Sequence, residues 1–181
     1  MEFKILGVTR LCIDGRNVDL GRARQRALLT LLLHKVNQRV SVDTIVGQLW
    51  RDRSAGKVRA NLQSLVSRLR RIFKHEGVPG DIPRDGDGYR LELNPELVDY
   101  HRFRRLVTDG REAARRGDHV RAVTLLSAAL AMTWHETPLA DLRSDYADHA
   151  RREIRDFDVR QACHALLASQ FQIGAHPEMI D

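Results

Sequence analysis

Apolar residues recur at helical spacing between positions 54 and 77, which predicts a long amphipathic helix. Its apolar members are spaced 4, 3, 1, 3, 3 and 1 residues apart and are Val58, Leu62, Leu65, Val66, Leu69, Ile72 and Phe73. At ~100° per residue they fall within an arc of about 120°, the width of a core-facing stripe. The pattern therefore predicts that one face of this helix packs inward and the other faces solvent.

A small sheet and two shorter helices are predicted before the long helix. Residues 3–7 are β-prone, and residues 10–20 are predicted as a hairpin because their central Asp-Gly pair tolerates the positive φ of a type I′ turn. The spacing of alanine and leucine predicts a first helix over 22–36. A second helix over 41–50 begins with Ser41, whose hydroxyl is a good N-cap, and a polar connection over 51–56 follows.

A β-hairpin is predicted beside the long helix. Residues 81–93 combine two extended stretches with a tight turn rich in Asp and Gly. A hairpin next to a basic helix is the wing of a winged helix. Arg84 lies near its tip, where it is predicted either to contact a phosphate or a minor groove, or to be an ordinary solvated turn residue.

The face of the long helix opposite the apolar stripe has the residue types that a DNA major groove requires. No acidic residue occurs in residues 55–75. Small and short polar side chains suit base edges, and those predicted to read bases are Ala60, Gln63, Ser64 and Ser67. Long cations suit phosphates, and those predicted to contact them are Lys57, Arg59, Arg68, Arg70, Arg71 and Lys74. Taken alone, the segment is also compatible with a solvated cationic helix.

The net charge of +6 is divided unevenly along the chain. Residues 1–95 carry 18 Lys and Arg against 10 Asp and Glu, whereas residues 96–181 carry 12 against 14. A basic half joined to a nearly neutral half favours a nucleic-acid reader with a protein-binding module. We therefore predict two domains, a DNA-binding domain over 1–95 and a partner-binding domain over 96–181.

The second half is predicted to be entirely helical. A helix over 99–116, a Gly-Asp turn and a second helix rich in alanine and leucine form a helical hairpin. One long helix is predicted over 144–173, and residues 174–178 have the pattern of the start of another. Because repeat units need neighbours to bury their faces, we expect either further helices beyond Asp181 or stabilisation of this array by the first domain.

Catalytic, cofactor and metal motifs are not found in the sequence. Lys57 is followed by Val58, so the phosphate-loop pattern is broken, and His135-Glu136 lacks the second histidine of a zinc protease helix. The two cysteines lie in different halves without a CxxC pair. The chain has no secretory signal and no apolar run of ~20 residues. We expect a cytoplasmic, nucleoid-associated protein that is not an enzyme and needs no cofactor, metal or membrane.

The first half resembles the OmpR-type winged helix-turn-helix over about residues 3–93, ending in Gly-Tyr-Arg-Leu. Within it, the segments that look like the Streptomyces antibiotic regulatory protein (SARP) family are Gln25-Arg26-Ala27-Leu28-Leu29, Val42-Asp43 with Leu49-Trp50, and Asn61-Leu62-Gln63 leading to Val66-Ser67-Arg68-Leu69-Arg70. The resemblance implies a transcriptional activator that places its third helix in the major groove of promoter direct repeats and recruits RNA polymerase with its sigma factor. Dimers on DNA are expected from the repeats.

The second half resembles other parts of the same family. The spacing Gly-Asp-x-x-x-Ala-x-x-x-Leu looks like a tetratricopeptide unit. Trp134 followed by residues 138–141 resembles the loop of the bacterial transcriptional activator domain, except that Glu136 stands where that loop usually has Gly. The predicted fold class is therefore mainly α with small β-sheets, an OmpR-type winged helix-turn-helix followed by an all-α tetratricopeptide-like domain.

Two functions from different classes follow from these patterns. The first is a sequence-specific activator, predicted to regulate secondary-metabolite (antibiotic) biosynthesis genes because the family resemblance implies it. The second is a helical-repeat adaptor that binds nucleic acid only non-specifically. A response regulator is less favoured because Met1 opens directly into the sheet, so we expect no phosphoacceptor domain before it.

Overall fold

The computed structural model describes residues 1–50, 55–133 and 136–174. It is mainly α-helical with small antiparallel sheets, which confirms the predicted fold class. Three predicted features lie outside the described residues: most of the polar connection after Trp50, the residues Trp134 and His135, and the helix start after Gly174. In the described ranges, no helix combines the length and the apolar character needed to cross a membrane.

The chain opens with a three-stranded antiparallel sheet of β1 (Glu2–Lys4), β2 (Arg10–Ile13) and β3 (Arg16–Val18). Asp14 and Gly15 connect β2 to β3 with φ angles of 49° and 79°, the conformation that the Asp-Gly pair predicts. The hydrophobic side of β1 and β2 is part of the core of the protein.

Three helices that pack against one another follow this sheet in the chain: α1 (Ala23–His34), α2 (Val42–Leu49) and α3 (Ala55–His75). Ser41 caps α2 as predicted, because its hydroxyl accepts a hydrogen bond from the backbone N–H of Thr44 at 3.1 Å. Between α1 and α2 the chain forms β4 (Arg39–Ser41), a strand that the sequence analysis did not predict.

The wing is present at the predicted place and belongs to a larger sheet. Its strands β6 (Arg84–Asp85) and β7 (Gly88–Arg90) pair around the turn at Gly86, whose φ is 58°. Strand β7 also pairs with β4, so the sheet order is β4-β7-β6. Strands β5 (Gly80–Asp81) and β8 (Glu92–Leu93) pair with each other at the base of the wing.

The second half forms the predicted helical hairpin from α4 (Asp99–Arg115) and α5 (His119–Ala131). The two helices approach closely at Gly110, where a Cβ would lie 2.7 Å from the side chain of Leu126. The long helix predicted over 144–173 is present and uninterrupted, but it is not α-helical throughout: α6 (Asp145–Arg152) and α7 (Arg160–Gln172) flank a π-helical segment, Glu153–Val159. A wider turn shifts the register of a helix, and hydrophobic spacing does not reveal such a shift.

The two halves share one hydrophobic core, and buried polar contacts join them. The carboxylate of Asp99, at the start of α4, accepts hydrogen bonds from the backbone N–H groups of Ile5 at 2.8 Å and Leu6 at 3.1 Å. Backbone bonds also run from Leu139 and Ala140 to the carbonyl groups of residues 5 and 7. The first half therefore contacts part of the helical array, as in one of the two arrangements expected from the sequence.

Glu136, the departure from the family pattern, also contributes to this joint. Its carboxylate accepts a hydrogen bond from the backbone N–H of Val8 at 2.8 Å and forms an ion pair with Arg10 at 2.8 Å. A neighbouring contact is made by Asp141, which accepts hydrogen bonds from the Thr9 N–H and the Arg26 guanidinium. The backbone N–H groups of Val8 and Thr9, between β1 and β2, therefore bond to acidic side chains of this loop and not to backbone carbonyl groups.

Candidate nucleic-acid interface

Helix α3 orients its two faces as the sequence predicts. Its apolar stripe is inside, since Val58, Leu62, Val66, Leu69 and Phe73 are 4% exposed or less. The side chains predicted to read bases are all exposed: Ala60, Gln63, Ser64 and Ser67. Because these four residues are spaced three, one and three apart, they lie along one side of the helix. The side chains that a major groove would meet are therefore available to it.

Most of the predicted phosphate-binding cations flank that side and are exposed, namely Arg59, Arg68, Arg71 and Lys74. Among the residues that the structure describes, none of the four has a carboxylate within the 4.0 Å of an ion pair. Lys57 belongs to α3, but its side chain lies outside the described residues. The exposed surface of the helix is therefore cationic, without compensation from described acidic neighbours.

Arg70 is placed differently from the other cations. Its Nε donates a hydrogen bond to the carbonyl oxygen of Ile82 at 3.1 Å, and the same nitrogen lies 3.8 Å from a carboxylate oxygen of Asp81. Ile82 is fully buried and begins the chain segment that leads into the wing. The guanidinium therefore links α3 to the wing, a contact that the sequence analysis did not predict.

The wing lies against β4 because Gly88 allows a close approach. A Cβ at this position would collide with the backbone carbonyl oxygen of Val40, and its partner in the register is Ser41. This close approach explains why glycine is required at the first position of the Gly-Tyr-Arg-Leu motif in this chain. Tyr89, the next residue, is buried and pairs with Val40.

Replacing Gly88 by Ala is expected to displace the wing from β4 and to destabilise the protein by about 1–3 kcal/mol, the usual cost of overpacking. Denaturant unfolding measures the loss. Gly15→Ala is the control for the open turn, since a Cβ there meets no atom within 4 Å and only the positive φ opposes it. An unfolding free energy for Gly88→Ala equal to that of the unchanged protein would contradict the close approach.

A cleft of about 100 Å³ separates the wing from α3. Its lining residues come from α2, α3 and the wing, and they are Val42, Arg59, Leu62, Gln63, Arg84, Asp87 and Tyr89. Arg84 lies near the tip as predicted, is exposed, and donates a hydrogen bond from Nε to the carbonyl oxygen of Gly86 at 3.2 Å. The cleft thus brings a base-reading candidate, Gln63, next to the wing arginine.

Two residues that no sequence motif marks, Arg39 and Asp87, also lie beside this cleft. Arg39, on β4, forms an ion pair with Asp87 in the wing turn at 3.1 Å. The two are 48 positions apart, and only the pairing of β4 with β7 brings them together. The alternation of Arg39, Val40 and Ser41 around one buried residue was the available indication of β4.

Comparison with known proteins gives a consistent set of relatives. A family model described as the bacterial transcriptional activator domain matches residues 98–181. The transcriptional regulatory protein EmbR of Mycobacterium tuberculosis is 34% identical over an alignment of 145 positions that covers 79% of this chain and 37% of EmbR. The transcriptional regulator RedD of Streptomyces coelicolor is 31% identical over an alignment of 186 positions, gaps included, that covers 99% of this chain and 52% of RedD.

A solved structure shares the architecture. It is that of M. tuberculosis EmbR in complex with a low-affinity phosphopeptide, and it superimposes with a TM-score of 0.86 at 31% sequence identity. The match covers 96% of this chain and 46% of the EmbR chain. The chain therefore spans about half or less of the length of the relatives it matches.

Proposed function

Since the chain belongs to the Streptomyces antibiotic regulatory protein (SARP) family of transcriptional regulators, we propose that it is a sequence-specific DNA-binding activator. In this proposal residues 1–95 bind promoter direct repeats, and residues 96–181 contact RNA polymerase and its sigma factor. Secondary-metabolite (antibiotic) biosynthesis genes are the proposed targets. The observation that carries the proposal is the exposed cationic face of α3 beside the wing, where Arg59, Arg68, Arg71 and Lys74 have no carboxylate at ion-pair distance among the described residues.

Each part of this face has a proposed role. Ala60, Gln63, Ser64 and Ser67 meet base edges, with the alanine methyl against a thymine methyl and the others as hydrogen-bonding groups. The proposed phosphate contacts are Lys57, Arg59, Arg68, Arg71 and Lys74, together with Arg84 of the wing. Arg70 is proposed to act on phosphate indirectly, because its guanidinium is already bonded to the carbonyl oxygen of Ile82 and positions the wing.

The contacts between the halves give the proposal a structural consequence. Asp99, Glu136 and Asp141 tie the second half to the sheet of the first half through hydrogen bonds to Ile5, Leu6, Val8 and Thr9. A winged helix that is fixed on DNA would therefore hold the helical half in one orientation. That arrangement suits a protein that presents a surface to polymerase at a defined distance from its binding site.

The proposal predicts a particular motif and a particular salt dependence. A random duplex pool is incubated with the full chain, and the bound fraction is sequenced after several rounds. We expect a direct repeat to be enriched. With about six phosphates neutralised, the plot of log K against log salt for the enriched duplex should have a slope near −5. A slope near zero would contradict binding through phosphate contacts of the cationic α3 face.

Single variants in the same selection test the base-reading assignment. Gln63→Ala and Ser67→Ala are each expected to change the preferred base at particular positions of the motif, whereas the control Ser127→Ala, on the exposed side of α5, should leave it unchanged. Identical motifs for Gln63→Ala and the unchanged protein would refute the role of Gln63.

A second candidate function is a protein-interaction adaptor. Leu167 and Phe171 lie one helical turn apart on α7 and are 56% and 70% exposed, which is unusual for large apolar side chains. In an adaptor this surface would bind the partner protein, and the first half would bind DNA without sequence preference. Footprinting separates the two functions, because a discrete protected repeat supports the activator and uniform protection supports the adaptor.

A further inference from the structure

The wing has an unusual charge for a DNA-binding element. Residues 81–90 contain three aspartates but only two arginines, so the wing itself is net acidic. Each aspartate lies within 4 Å of an arginine from a different element, and the pairs are Asp81 with Arg70 at 3.8 Å, Asp85 with Arg90 at 3.6 Å, and Asp87 with Arg39 at 3.1 Å. Within the described ranges, Arg84 has no carboxylate at ion-pair distance.

Asp87 differs from the other two aspartates in its position. Its side chain is 70% exposed, and it lines the cleft between the wing and α3 together with Arg59, Gln63 and Arg84. A DNA strand that contacts Arg59 and Arg84 must therefore approach the carboxylate of Asp87. Two negative charges brought together in this way repel each other, and the repulsion is the same for every DNA sequence.

Arg39 is the ion-pair partner of Asp87. Its side chain is 57% exposed, and its Nη1 is held by Asp87 beside the cleft. An exposed ion pair of this kind contributes little to folding stability, so opening it costs little. Once Asp87 releases it, the guanidinium has the length and charge to bind a phosphate.

We propose that Asp87 is a specificity-determining residue that weakens binding to non-cognate DNA. It repels phosphate at the cleft and occupies Arg39, so that DNA without the correct bases gains too little to open the ion pair. A cognate site adds the contacts of the α3 face, and Arg39 then exchanges the carboxylate for a phosphate. The inference rests on the proposed function and adds to the same site a residue that opposes DNA binding.

Asp87→Asn in the full chain tests the proposal. Two probes are used, the duplex enriched by selection and a duplex of the same length with scrambled sequence, each titrated at several salt concentrations. We expect the variant to bind the scrambled duplex about tenfold more tightly at ~50 mM salt, with the log–log slope steeper by about one, because one more phosphate is neutralised. The enriched duplex should gain less, so the ratio of the two affinities should fall.

Two further variants make the result specific to the ion pair. Asp109→Asn changes the net charge equally on α4, where Asp109 pairs with Arg105 at 3.1 Å, and should alter neither affinity more than about twofold, as expected of screened distant charge. Adding Arg39→Gln to Asp87→Asn should reverse the change in slope and most of the tenfold gain, since Arg39 supplies the new phosphate contact and only the relief of the repulsion by Asp87 remains.

The possible outcomes separate the inference from the proposed function. If the unchanged protein binds neither duplex in a salt-dependent manner, the proposed function fails. If it binds as proposed but Asp87→Asn behaves like Asp109→Asn, or loses preference at one base position without gaining affinity for the scrambled duplex, the inference is overturned. The second of these results would make Asp87 a reader of cytosine instead.

Discussion

Replacing Arg68 and Arg71 together by Ala is expected to weaken DNA binding about a hundredfold at ~50 mM salt, for cognate and scrambled duplexes alike. Both side chains are exposed on α3, beside Ser64 and Ser67. Each phosphate contact contributes about one power of the salt concentration to the binding constant, so the loss of two contacts should also make the log–log slope less negative by about two.

The matched control removes the same charge elsewhere. Arg115 and Arg116 lie at the end of α4, are exposed, and pair with Glu112. Their double replacement by Ala changes the net charge equally, and we expect an affinity within about threefold of the unchanged protein because distant exposed charges are screened. If the control variant lost as much affinity as Arg68→Ala with Arg71→Ala, the binding would depend on net charge and the α3 face would have no special role.

The α3 face could be predicted from the sequence because it depends on local periodicity. The burial of Leu62 and Leu69 and the exposure of Gln63 and Ser67 follow from ~100° per residue once the helix is assigned. The wing turn could be predicted for a similar reason, since glycine at a positive φ is a property of the turn itself. These features need no information about distant parts of the chain.

The role of Arg70 could not be predicted, because it depends on the position of a carbonyl group twelve residues away. The sequence places Arg70 among cations with the same spacing, and only the path of the chain at Ile82 distinguishes it. The Arg39–Asp87 pair is a stronger case, since β4 has only three residues and one buried side chain. Short strands of this kind are defined by their partners more than by their own sequence.

The polar contacts between the two halves could not be predicted for the same reason, because they depend on residues that are distant in the sequence. Asp99 was predicted only as the start of a helix, and nothing local distinguishes an aspartate that caps its own helix from one that binds a distant strand. In the structure its carboxylate does not act as the N-cap of α4; it accepts hydrogen bonds from the N–H of Tyr100 in the first turn and from the N–H groups of Ile5 and Leu6 in the first half. Hydrophobic patterning thus predicted the helices of both halves but not the polar contacts that join the two halves.

Asp99→Ala is expected to destabilise the protein by about 3–5 kcal/mol. The change leaves the N–H groups of Ile5 and Leu6 buried without an acceptor, and each such group costs ~1–3 kcal/mol. For a chain of this length, the melting temperature should fall by about 10 °C. Asp109→Ala is the control, since Asp109 is exposed and its loss should change the unfolding free energy by at most about 0.5 kcal/mol.

The pH dependence of unfolding tests the same joint independently. Burial raises the pKa of Asp99 to about 6, and this effect exceeds the lowering by the three backbone N–H groups. A carboxyl whose pKa is higher in the folded than in the unfolded chain stabilises the fold most below the unfolded value, and it loses that contribution as the pH rises to about 6. The side chain of Asp99→Asn cannot titrate, so only the unchanged protein loses this contribution as the pH rises. In urea unfolding, the difference in unfolding free energy between the unchanged protein and Asp99→Asn should therefore become smaller between about pH 4 and pH 6. A constant deficit across this range would mean that Asp99 stays ionised in the folded protein and holds the two halves together as a charged group.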